Sequence, residues 1–145
     1  WTPTSGLTRS QFPGITVKPV TTTEYTVQVT NNGGCKAIDK VTIFVICNNS
    51  NVFLPNTFSP NGDGANDVFY PRGLGMFNIQ MLRIFNRWGQ VVFERSNMAP
   101  NDESIGWDGK LNGKLLTPDV FVYTVDIICE NGVKLNFKGN VALVR

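Results

Sequence analysis

Where this chain is strongly apolar, the pattern has period two. Phe121, Tyr123, Val125 and Ile127 alternate with Val122, Thr124 and Asp126, and Tyr25, Val27 and Val29 alternate with Thr26, Gln28 and Thr30. No stretch keeps a 3.6-residue repeat for three turns. Successive side chains of a strand point to opposite faces, so such a pattern makes a sheet with one covered face and excludes an amphipathic helix. The reading is all-β, an antiparallel β-sandwich of the immunoglobulin-like kind.

Between the strand candidates lie turn signals. Asn31-Asn32-Gly33-Gly34 and Asn131-Gly132 supply the positive-φ positions of hairpin turns. The first hairpin returns from Lys40 to Ile46, with Val41, Ile43 and Val45 on one face, and Ile15 with Val17 marks a further strand before Pro19. The second half holds a long strand over 77–88, with Leu82, Ile84, Asn86 and Trp88 on one face. Then come Val91 to Glu94, a loop-rich region over 95–119, a strand over 120–128, and a closing strand from Lys134 to Arg145. The polar run Asn48-Asn49-Ser50-Asn51 reads as a linker. The expected organisation is therefore the C-terminal part of an immunoglobulin-like repeat over 1–47, a linker over 48–51, and a β-domain over 52–145.

One loop stands apart. From Leu54 to Phe69 the chain holds two prolines, two glycines, three asparagines and two aspartates between apolar anchors. Asn61, Asp63, Asn66 and Asp67 place four oxygen-bearing side chains within seven residues. Such spacing suits Ca²⁺, with Asn61, Asp63 and Asp67 as ligands, because the ion prefers carboxylate and carbonyl oxygens in a tight glycine-containing loop. The late bidentate Glu of an EF-hand is missing, since Arg72 stands at the twelfth position. The same side chains also cap turns by bonding their own backbone. The residues leave both readings open.

Composition narrows the function. Thirteen Lys+Arg against eleven Asp+Glu leave +2, with the charges scattered rather than gathered into a nucleic-acid or membrane patch. No apolar run reaches the roughly 20 residues needed to span a bilayer. Trp1-Thr2-Pro3 opens without a signal peptide, as a cut inside a longer protein would. Histidine is absent, which removes the commonest general base and metal ligand together. Asp63 with Asp108 as a catalytic carboxylate pair would need a cleft. The chain reads as no enzyme, with no catalytic residue assigned.

From Val52 onward the sequence resembles the type B C-terminal domain of type IX secretion substrates, also called the gliding-motility-associated C-terminal domain, of Bacteroidota. The residues that carry the resemblance are Leu54-Pro55-Asn56-Thr57-Phe58-Ser59-Pro60-Asn61-Gly62-Asp63-Gly64-Ala65-Asn66-Asp67, then Ile84-Phe85-Asn86-Arg87-Trp88-Gly89-Gln90-Val91-Val92-Phe93-Glu94, Gly106-Trp107-Asp108-Gly109, Phe121-Val122-Tyr123 and Lys138-Gly139-Asn140-Val141-Ala142-Leu143-Val144-Arg145. Before it, Trp1-Thr2-Pro3, Gly6-Leu7, Thr22 to Val27 and Gly34-Cys35 resemble the end of an immunoglobulin-like adhesin repeat. In such repeats the cysteine after the Gly-Gly turn has its partner near the repeat's start, which leaves Cys35 unpaired here.

The resemblance implies a folded export address on a cell-surface protein such as an adhesin. It would be read by the outer-membrane translocon together with a membrane barrel of the PorP/SprF kind, and carry its cargo through the periplasm to the cell surface or medium. The residues singled out for that recognition are Asn61, Asp63, Asn66 and Asp67 in the loop, Arg87 and Gly89 at a turn, and Lys138, Val141, Leu143 and Arg145 near the end. The closing strand is either an edge open to β-augmentation or a fully paired strand. Trp88 is expected in the core, Arg87 beside a carboxylate such as Asp108, and Trp107 over one end of the sandwich. A Cys47–Cys129 bridge would tie the linker to the domain. It would contribute up to about 4 kcal/mol on a chain-entropy basis. The rival function is a carbohydrate-binding or Ca²⁺-dependent adhesive module with Trp88, Trp107 and Tyr123 as stacking platforms.

Overall fold

The computed structural model describes residues 16–19 and 21–145. The expected strand at Ile15 and Val17 falls partly outside these residues, and those of its positions that are described, 16–19, are not in a strand. The chain divides into two compact units, one ending at Val45 and one spanning Ile46–Arg145. The first contains a hairpin of β1 (Thr23–Thr30) and β2 (Lys36–Ile43). They pair antiparallel from Thr23↔Ile43 to Thr30↔Lys36. The turn between them is closed by Asn31, whose Oδ1 accepts the Gly33 and Cys35 N–H groups. The return strand therefore starts four residues earlier than the alternation of Val41, Ile43 and Val45 suggests. Cys35 is free and exposed.

The second unit is built on β3 (Val52–Phe53), β4 (Thr57–Phe58), β5 (Arg72–Gly73), β6 (Met76–Phe85), β7 (Val91–Met98), β8 (Lys110–Leu111), β9 (Lys114–Leu115), β10 (Asp119–Cys129) and β11 (Lys134–Leu143). Five of these form one sheet in the order β4-β11-β10-β6-β7. All its pairings are antiparallel except β4 with β11, which is parallel. Alternation decides which face is covered. Phe121, Tyr123, Val125 and Ile127 of β10, Leu82 and Ile84 of β6, and Val141 and Leu143 of β11 are all buried.

Short pieces make the opposing layer: β3 paired with β5, β8 with β9, and a bridge between Phe69 and Trp107. Phe69 lies 5.1 Å from Tyr123, and Trp107 lies 5.0 Å from Phe121 and 5.1 Å from Phe58, ring centre to ring centre. Large aromatic surfaces pressed between two layers of strands dominate the core energetics. The fold is all-β and consistent with a β-sandwich, as the alternation implies. A 3₁₀ turn, Glu103–Ile105, interrupts the strands of the second unit, capped by Asp102.

Cys47 and Cys129 are joined by a disulfide across 82 positions of sequence, both nearly inaccessible. Residues 48–51 do not hang free. The Asn48 side chain accepts the Ser50 and Asn51 N–H groups, and the Asn51 carbonyl accepts from Leu74.

Candidate recognition end

The loop of Pro60 to Val68 is organised by one carboxylate. Gly62 and Gly64 stand at φ 80° and 83°, and Asn66 at 55°. In this left-handed region glycine carries no Cβ penalty and asparagine is the best-tolerated alternative. The resulting curl aims several backbone N–H groups inward. Asp67 Oδ1 accepts those of Asn61 and Gly62 at 2.9 and 2.7 Å, and Oδ2 accepts that of Gly64 at 2.7 Å. Asn61 Oδ1 accepts from Asp63 N–H at 3.0 Å, and Asp63 Oδ1 from Ala65 N–H at 2.8 Å. Both oxygens of Asp67 thus serve the loop's own backbone, a nest closed on an internal anion. Among the described residues, no group of three Cys, Asp or Glu side chains gathers as a metal cage would require.

The hydrogen bonds from Gly62 and then Gly64 hold the Asp67 carboxyl below its usual value. A depressed folded-state pKa adds stability that is present above the unfolded value and is lost as pH falls through the folded one. Acidification should therefore leave the loop intact through the ordinary Asp range near pH ~4. The Gly62 and Gly64 amides should lose hydrogen-exchange protection only at lower pH. An Asp67→Asn change should abolish that titration and weaken protection at neutral pH. Loss of protection already at the ordinary Asp value would contradict the carboxylate's role.

The second element is the β6–β7 turn. Asn86 Oδ1 accepts the Trp88 and Gln90 N–H groups, each at 3.0 Å, and Gly89 takes φ 79°. Here the structure corrects two expectations. Trp88 is not in the core: it is 79% exposed at the tip of the turn. The strand ends at Phe85 and Trp88 lies beyond it in the turn, so the parity that buries Leu82 and Ile84 does not extend to Trp88. Arg87 pairs with Asp119, not Asp108, its Nε standing 2.9 Å from Oδ2 and its Nη2 bonding Oδ1. Asp108 instead holds Lys110 at 2.6 Å. The Arg87 bond draws the Asp119 carboxyl down, and its partner raises the guanidinium in turn. Arg87 also lies 5.7 Å from the centre of the Trp88 ring.

The third element is the chain end. Ala142 and Val144 N–H donate to the Asn56 and Phe58 carbonyls at 2.8 and 3.0 Å, and Arg145 Nη2 bonds the Leu116 carbonyl. Of the residues singled out here, Val141 and Leu143 are buried, which leaves their side chains unavailable to a partner, whereas Lys138 is exposed opposite Thr124. Along 142–143 the strand is covered by β4 and is no edge. From Lys134 to Val141 no strand among the described residues pairs with that side.

Registers bring these elements to one end of the sheet. Asp119 lies opposite Leu143, and Arg87 reaches Asp119. A Cβ on Gly109 would meet both Leu143 Cδ1 and Pro60 Cγ at 2.9 Å, so the loop packs on the closing strand there. Between the loop and the β8–β9 hairpin is a recess of about 280 Å³, lined by Pro60, Gly62 and Asp67 on one side and Asp108, Lys110 and Leu115 on the other. Its two carboxylates are engaged, one by backbone and one by Lys110. Asp63 does not line this recess, so it forms no carboxylate pair with Asp108 across it.

Sequence reasoning missed Asn86, Asp119 and Lys110. Asn86 carries a legible signal, an Asx residue three positions before a turn glycine. Asp119, 32 positions from Arg87, carries none.

No helix among the described residues is long and apolar enough to cross a membrane. No curated protein and no solved structure matches the chain. Residues 52–143 match the family model described as the CHU_C type IX secretion signal domain. That stretch contains the loop, the tryptophan turn and all but the last two residues of the closing segment, and the chain belongs to the type IX secretion signal domain family.

Proposed function

We propose that residues 52–145 are a folded address that directs a larger cell-surface protein, such as an adhesin, through the type IX translocon. The route runs from the periplasm to the cell surface or medium, with a PorP/SprF-type barrel as the membrane partner and no catalytic step in the domain itself. The observation that carries this reading is the family match over residues 52–143, most of the second unit. The hydrogen bonds of Ala142 and Val144 to Asn56 and Phe58 add to it, because they join the last motif to the first and make the signal a surface rather than a linear tag. A buried disulfide suits an oxidising compartment. The Asn61–Asp67 loop acts in this reading as an Asx-turn scaffold, its oxygens spent on backbone donors instead of Ca²⁺.

The test is removal of residues 52–145 from the full protein in its own host. Export should cease, with folded cargo held in the periplasm. Cargo that still reaches the exterior would sink the proposal. The rival carbohydrate platform fares poorly, because Trp107 and Tyr123 are buried and Trp88 alone is open.

A further inference from the structure

A second recess, of about 140 Å³, has Thr57 of β4, Asn66 and Val68 on either side of Asp67, Tyr70, Arg72 of β5 and Glu103 of the 3₁₀ turn among its walls. Register sets Arg72 opposite Phe53, and Tyr70 stands two positions before it in the chain. The guanidinium lies 5.1 Å from the centre of the Phe53 ring and 5.3 Å from that of Tyr70. Cation–π attraction to both rings holds the group in place without using any of its N–H donors. The backbone beside it is fixed as well: the Asn101 side chain accepts the Gly73 N–H at 2.8 Å and donates to the Gly73 carbonyl at 3.0 Å.

The donors at this recess are free. Arg72 Nε is buried and has no acceptor, and the rest of its guanidinium makes no hydrogen bond or ion pair among the described residues. The other described arginines all find one: Arg83 and Arg87 bond carboxylates, and Arg95 and Arg145 bond backbone carbonyls. The Asn66 amide and the Tyr70 hydroxyl on the same walls also make no hydrogen bond among the described residues. A donor taken out of water with nothing to bond loses its hydration without return, and an acceptor brought from outside restores the loss. Glu103 is the one acid lining the recess, and its carboxylate forms no ion pair with Arg72.

We propose that this recess is a binding site for a single carboxylate, the side chain of an aspartate or glutamate on a partner protein. A planar guanidinium already held between two rings meets a carboxylate with two parallel hydrogen bonds. The Asn66 amide and Tyr70 hydroxyl bring further donors to the same walls. A phosphate fits less well, because Glu103 repels a dianion more than a single charge. The volume suits one side chain, since pockets for whole small molecules run to about 300–1,000 Å³. The binding site stands on its own geometry, and only its use in export rests on the domain being an export address.

The test follows the Arg72 Nε–H resonance of the full chain by NMR during titration with the blocked tripeptide acetyl-Gly-Glu-Gly-amide. A saturable shift is expected, and none from the glutamine analogue. Arg72→Lys keeps the charge and the stem between the rings but not the fork, and should weaken binding about tenfold, read on neighbouring amides. Tyr70→Phe keeps the ring and should weaken it less. Glu103→Gln should tighten it severalfold by removing a like charge. Unfolding midpoints show that each variant is folded. In the host, Arg72→Lys should lower surface export of the full protein severalfold. No shift with the glutamate peptide, or equal shifts with both peptides, overturns the proposal. So does a resonance that is paired in the free protein and released by Glu103→Gln, which would make Glu103 the acceptor. Inorganic phosphate that binds more tightly than the glutamate peptide would make the ligand a phosphate, and acetate that binds where the peptide does not would make it a small free acid; either result overturns the proposal. If deletion of residues 52–145 stops export while Arg72→Lys passes normally, the address stands and the recess has no part in it. Export that survives the deletion removes the address and leaves the titration result untouched.

Discussion

Truncating Trp107 to alanine should destabilise the second unit by about 3–5 kcal/mol. Its side chain is fully buried between Phe58 of β4 and Phe121 of β10. Its Nε1–H donates to the Lys110 carbonyl at 3.0 Å, which holds the β8–β9 hairpin against the core. Phe69 and Trp107 exchange backbone hydrogen bonds at 2.8 and 2.9 Å, so the cavity would open where the opposing layer is stitched together. Domains of this size are stable by about 5–15 kcal/mol, so the loss takes a large share of the total. Urea titration should show a lower midpoint with an unchanged slope. Trp107→Phe should recover part of the loss by restoring ring area without the indole hydrogen bond. An alanine variant with the wild-type midpoint would refute the placement of Trp107 at the centre of the core.

Removing the Cys47–Cys129 bridge should be nearly as costly. A cross-link closing 82 positions restricts the unfolded chain strongly. The chain-entropy ceiling is about 4.5 kcal/mol, and native disulfides generally deliver about 2–4. The double change of Cys47 and Cys129 to alanine keeps both buried positions apolar, so the measured loss reports the link rather than a new polar group. Thermal unfolding of this variant and of dithiothreitol-reduced wild type should agree, and both should fall well below the oxidised protein. Equal stability with and without reductant would show that the bridge contributes nothing.

Much of the second unit was legible in the sequence because its physics is local. The alternation at Phe121, Tyr123, Val125 and Ile127 buries those four side chains, and the Asn131-Gly132 turn forms where its residue types demand, with Gly132 at φ 83°. The Asn61–Asp67 segment is a tight loop for the same reason: short polar side chains and glycines satisfy backbone groups a few residues away. β7 runs on to Met98, four residues past the stretch that alternation suggests. Arg95, Ser96 and Asn97 look like loop residues, yet they continue the pairing with β6 on an exposed edge.

The candidate end was legible in its parts but not in their roles. Arg87 and Trp88 stand out by residue type alone, yet the alternation that placed Leu82 and Ile84 inward put Trp88 there too. Parity carries information only while a strand continues, and here β6 ends at Phe85, before the turn that carries Trp88. The partner of Arg87 is non-local. Asp108 and Asp119 are equally plausible in one dimension, and only the pairing of β6 with β10 brings Asp119 within reach.

The amino-acid order by itself determined the all-β class, the positions of the tight turns and the inward faces of the long strands, because those depend on side chains a few residues apart. Only the tertiary structure decided that Trp107 is the buried indole and Trp88 the displayed one. It alone also covered the chain end by β4 and gave Arg87 its partner Asp119. Each of these depends on which distant strands become neighbours, and residue-by-residue preference does not encode that.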